Sequence, residues 1–287
     1  MRRTLIGLAV GLLLPVSIAQ ADIASDLKAD LPVQTVLLNA AKAKVSIDEA
    51  LRQILDTAPD QAYAAITAAL QVSPDQAANI VSVALDKHFN LNPPQVVSAA
   101  LQGAPDKAGV IVPTAIVRSP GYYTVPIVQR ALADGADGSK FLPQAMRTSP
   151  RQADSILTQA LISAPGQTQS IMKAVIASQP DKATHYVRVA LDAKAPAKDV
   201  LTAAFAVAPR QAEDIASVAR EKAVPEESIT SASKAANVTL ASASKVGKSG
   251  SNDSTLVGGP TNTSTNPISA PSAGGGGGGG ESTASPN

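Results

Sequence analysis

The stretch from Thr57 to Leu85 states one phrase twice. Pro59-Asp60-Gln61-Ala62 returns as Pro74-Asp75-Gln76-Ala77, and Ala69-Leu70 returns as Ala84-Leu85. Repetition at a fixed period constrains a fold strongly, because one small unit must then stack on copies of itself. Related phrases begin at Pro105, Pro150, Pro165, Pro180 and Pro209, and looser copies at Pro120 and Pro225.

Each copy carries the signals of a helix start. Proline at a first helical position loses nothing by lacking an N–H. Asp60, Asp75, Asp106 and Asp181 follow it, where a carboxylate meets the positive end of the helix dipole. Ser73, Ser119 and Ser149 precede it as candidate N-caps. Counted from proline, apolar residues fall at the third, sixth, seventh, tenth and eleventh positions, as in Ala62, Ala65, Ile66, Ala69 and Leu70. That spacing is one stripe of an α-helix and not the alternation of a strand. A helix of about 12 residues with a single stripe is marginal alone, so each copy needs its neighbour to cover it.

A longer period overlies the first. Pro59, Pro105 and Pro150 are 46 and 45 residues apart, and a shorter helix precedes each of these copies. The first of them opens at Ser46-Ile47-Asp48-Glu49, a capping-box pattern. Pro93 to Leu101, Lys140 to Met146 and Pro196 to Phe205 supply the others, and the copy at Pro180 is supernumerary. The expected fold is all-α: a solenoid of short helices in tandem, three per unit of about 46 residues.

The flanks have another character. Arg2 and Arg3, the apolar run Leu5 to Leu14 and Ala19-Gln20-Ala21 form a secretory signal over residues 1–21. The repeat domain is expected over 22–236. Residues 237–287 are rich in Gly, Ser, Thr, Asn and Pro, a composition that cannot repay its ordering entropy, so a disordered tail is expected. The apolar run of the signal is shorter than a membrane span, and no integral membrane anchor is expected. The expected destination is the periplasm, the cell surface or the medium.

Composition narrows the function classes. The chain has no cysteine, so neither disulfides nor a lipidated cysteine are available. Its net charge is +1, with no basic stripe or aromatic platform to suggest nucleic acid. Gly247-Lys248-Ser249 lacks the upstream glycine of a phosphate loop. Asp134 to Gly138 (Asp-Gly-Ala-Asp-Gly) places Ala136 where a calcium loop needs an oxygen ligand. His88 and His185 have no metal-spaced partners in sequence. No catalytic, metal or cofactor-binding residue is assigned, and no cofactor is expected.

One region breaks the rhythm. Between Gly103 and Leu132, Pro113 and Pro126 fall inside expected helices, where each costs about 3 kcal/mol. Tyr122 and Tyr123 bring two of the chain's few aromatic rings to the same place. Broken local consistency marks candidate functional positions, and tyrosine is enriched in interfaces. Tyr122, Tyr123, Pro113 and Pro126 are therefore the candidate partner-contact residues. The expected role is an exported, non-enzymatic scaffold or adaptor whose partner is an exported protein or surface polymer. The alternative is a self-associating structural component of the cell surface or extracellular matrix.

Overall fold

The structure, a computed structural model, describes residues 23–240. The expected signal and nearly all of the expected tail lie outside the described residues. Within them the chain forms α1 (Ile23–Lys28), α2 (Val33–Lys42), α3 (Ile47–Thr57), α4 (Ala62–Val72), α5 (Ala77–Ala84), α6 (Pro93–Gly103), α7 (Ala108–Arg118) and α8 (Thr124–Ala133). There follow α9 (Gly138–Thr148), α10 (Ala153–Ser163), α11 (Thr168–Ser178), α12 (Ala183–Asp192), α13 (Ala197–Val207), α14 (Ala212–Glu221) and α15 (Glu226–Ala235). No strand occurs among the described residues. The fold is an all-α, solenoid-like repeat.

The apolar stripe is the core. Ala62, Ala65, Ile66, Ala69 and Leu70 are all buried, as are Ala183, Tyr186, Val187, Ala190 and Leu191 in a later copy. Most of these side chains are small, so helices approach until backbone meets backbone. A Cβ on Gly103 of α6 would lie 2.5 Å from the Thr67 carbonyl oxygen of α4.

Proline acts differently from the sequence expectation in one detail. In seven copies it opens a single 3-10 turn, such as Pro59–Gln61, and the α-helix begins at the next residue, an alanine in six copies and Thr168 in the seventh. The residue before proline makes the corner. Ala58 donates its N–H to the Ile54 carbonyl, closing α3, and its own carbonyl accepts from the Gln61 N–H. Its φ and ψ of −136° and 68° recur at Ser73 as −139° and 67°, and at Gln179 as −146° and 71°. Ser73 and Ser149 there make no side-chain cap bond, and the hydroxyl of Ser119 is buried without a partner among the described residues. The restriction that proline places on its predecessor makes the corner, and alanine serves as well as serine. Ser46 is a true cap: its hydroxyl accepts from the Glu49 N–H at 3.2 Å.

A second kind of joint follows α1, α2, α8, α12, α14 and α15. The chain turns through a left-handed residue, and the next N–H returns to the last turn of the helix, as in Val45 to the Ala40 carbonyl. This is the Schellman closure. The residue after the turn, Val45, Ala195, Val224 or Val238, packs against the core. Val238 and Leu240 carry that packing past Ala236 to the last described residue.

Packing follows a rhythm of two. Each helix packs most extensively on the helix two places away: α2, α4, α6, α8, α10, α12 and α14 form one row, and α1 through α15 by odd numbers form the other. Neighbours in sequence pack across the rows. The three-helix period seen in the sequence belongs to the joints, whereas the packing unit is two helices, or about 31 residues.

Candidate functional site

The irregular segment keeps its helices. Pro113 lies at the sixth position of α7, and Pro143 at the sixth position of α9, which packs beside it. Each removes a backbone hydrogen bond, yet α7 persists because Ala108, Ile111, Val112, Ala115 and Ile116 are all buried. Pro126 is the third residue of α8, in the first turn, where its N–H has no helical partner to lose. What fails is the joint between α7 and α8. Pro120 stands outside the 3-10 turn, which is made by Gly121, Tyr122 and Tyr123.

The four candidate residues therefore separate. Tyr122 is 73% exposed, Pro126 is exposed, Tyr123 is half-buried against the core and Pro113 is buried. The two tyrosine rings lie 4.6 Å apart at 40°. Val110 and Val117, seven residues apart on α7, are also exposed. Thus three of the five large exposed hydrophobics among the described residues fall between 110 and 122.

This joint belongs to an edge built from joints. The carbonyl of Gly121 accepts a 3.0 Å bond from the Gln152 amide, and the carbonyl of Pro180 accepts one of 2.8 Å from Gln211. On the opposite edge Gln167 accepts from the Gly138 N–H at 2.8 Å and donates to the Ala136 carbonyl at 3.1 Å. In three Pro-x-Gln turns the third residue, Gln152, Gln167 or Gln211, is thus a latch to the joint one packing unit earlier. Lys107 does the same with charge, donating to Asp75 at 2.7 Å. That bond and the attraction of the ammonium hold the Asp75 carboxyl below its ordinary value.

A groove of about 560 Å³ lies on the even row, where Tyr63 and Thr67 of α4, Gln95, Ser98 and Gln102 of α6 and Arg130 of α8 meet. Its polar groups are largely committed. Arg130 donates to Ser98 at 2.7 Å and to Asp134 at 3.0 Å, and the Thr67 hydroxyl lies 2.9 Å from the Ala99 carbonyl. The sequence reading missed this groove because its walls come from three copies, each about 32 residues from the next. Further along the row Arg188 of α12 donates to Glu221 of α14, and the bond lowers the Glu221 carboxyl.

The Asp-Gly-Ala-Asp-Gly joint has a structural explanation. Gly135 takes the left-handed turn at φ 84°, Asp134 accepts from Arg130, and Asp137 caps α9 by accepting from the Ser139 N–H at 3.0 Å. Each histidine pairs with an aspartate about one packing unit earlier: His88 with Asp56 at 3.0 Å and His185 with Asp154 at 2.8 Å. Among the described residues no group of three or more acidic or histidine side chains is placed to hold a metal ion, and no helix is long and apolar enough to cross a membrane. Gly247-Lys248-Ser249 lies outside the described residues.

Fold and surface together define a class, the all-α helical repeat with paired rows. No family model, curated protein or solved structure matches the chain.

Proposed function

We propose that the chain is an exported, non-enzymatic scaffold that captures an exported protein through the irregular joint. The observation that supports this reading is the exposure of Val117 and Tyr122 on either side of the one joint whose Pro-x-Gln turn is replaced by Gly121-Tyr122-Tyr123, with Val110 exposed two turns earlier on α7. A few residues, tyrosine prominent among them, supply most of the energy of a protein interface, and the flanking valines add apolar area that excludes water. The two rows fix the backbone on either side, so the patch is presented with little entropy left to lose on binding.

The test is affinity capture from periplasm and culture fluid with wild-type protein and with Val117→Ser plus Tyr122→Ser. A defined partner should be held by the first and lost by the second, with helicity by circular dichroism unchanged. Equal capture by both proteins refutes the assignment. Sedimentation of the purified chain as large assemblies, abolished by the same pair of substitutions, would instead support the self-associating matrix role.

A further inference from the structure

One turn sets like charges where another has a latch. In the turn Pro180–Lys182 the latch position is Lys182, and the residue it would meet, by analogy with Lys107 and Asp75, is Arg151. Two cations therefore stand where the other edge has an ion pair. Neither has a hydrogen-bond or ion-pair partner among the described residues.

The surroundings open accordingly. Of the even row's adjacent pairs, α10 and α12 pack least extensively. The alanine that starts the helix is buried at Ala62, Ala77, Ala108, Ala183 and Ala212, whereas Ala153 is only half-buried. A groove of about 370 Å³ results, walled by Pro150, Arg151, Asp154, Lys182, His185 and Tyr186. That is within the usual size range of small-molecule sites, roughly 300–1,000 Å³.

Tyr186 gives this groove its specificity. The residue is 1% exposed, and its phenolic oxygen is buried with no hydrogen-bond partner among the described residues. A buried hydroxyl without a partner is costly in a folded protein, and a ligand oxygen accepting from it would remove that cost. Burial, and then the Asp154 carboxylate, push the phenol above its ordinary value, so the hydroxyl stays a donor at neutral pH.

We propose that this groove binds a small organic acid through its carboxylate, held by Arg151 and Lys182 and accepting from the Tyr186 hydroxyl. Charge selects the class. The two cations and the Asp154 carboxylate leave one net positive charge, which suits one carboxylate. A second negative charge would face Asp154, whose Oδ1 is already engaged by His185. Arginine's planar fork favours the same geometry. The inference is independent of the Tyr122 surface, and the failure of either leaves the other standing.

The test is calorimetric titration of the full chain with glucuronate, benzoate and inorganic phosphate at constant ionic strength, with a thermal melt of each variant. At least one monocarboxylate should bind saturably and more tightly than phosphate. Arg151→Gln and Lys182→Gln should each weaken it about tenfold, as expected for loss of a charge-assisted bond. Tyr186→Phe should weaken it similarly while leaving the unliganded melting temperature unchanged or higher, which a hydroxyl with an internal partner would not do. No saturable carboxylate binding, tighter binding of phosphate, or affinity unaffected by the three substitutions would overturn the proposal.

Discussion

At the scale of single residues, small side chains fix how closely the helices approach, and backbone geometry fixes where they turn. Gly103→Ala should destabilise by about 1–3 kcal/mol, the usual cost of overpacking, because its Cβ would sit 2.5 Å from a backbone oxygen. The opposite substitution should help at Ala223, which closes α14 at φ 57°. Ala223→Gly removes a left-handed alanine and should stabilise by about 1 kcal/mol. Thermal melts read both, and a shift of the wrong sign in either counts against the close-packed description. The sequence showed which residues would be apolar, and Ile111, Ile156 and Ile171 are all buried. It could not show Gly103 as a contact, since the partner carbonyl is Thr67, 36 residues away. Nor could it show Pro113 as a core residue, because a proline in a helix announces a cost and not a facing.

At the scale of elements, the recurrent turn has two parts with separate tasks. Proline and the residue before it make the corner, while the third residue holds the corner to another. Gln167→Ala leaves the buried Gly138 N–H without its acceptor and should cost about 1–3 kcal/mol. Gln76→Ala, at an exposed position with no such bond among the described residues, should change stability by less than about 0.5 kcal/mol. Equal melting temperatures for the two variants would remove the latch. The corner was legible, because proline and its neighbours act locally. The latch was not, because Gln61, Gln76 and Gln167 are identical in sequence and differ only in what the fold sets opposite them. The same reason hid the Arg151–Lys182 groove: a lysine in place of glutamine becomes conspicuous only once its neighbour is known to be arginine.

At the scale of the whole chain, charge ties the packing units together. Bonds across packing units from Lys107 and Arg188, and local ones from the His88 backbone and Arg220, lower the carboxyls of Asp75, Glu221, Asp86 and Glu226 from reference values of 3.8 and 4.5. A carboxyl lowered in the folded state stabilises it fully above its unfolded value and loses that effect as pH falls through the folded value. The melting temperature should therefore hold from neutrality to about pH 5 and decline below about pH 4. The decline should shrink in molar salt, which screens exposed pairs; a flat profile to pH 3 would show the pairs to be inert. The two-row packing has a consequence for how such a chain can change length. Helices alternate rows, so a helix's face depends on whether an odd or even number precede it. Losing the supernumerary copy, from Pro180 to Lys194, would send α13, α14 and α15 each to the opposite face, with their polar and apolar sides reversed in address. Copies can be gained or lost harmlessly only in pairs, and parity is the quantity this fold conserves.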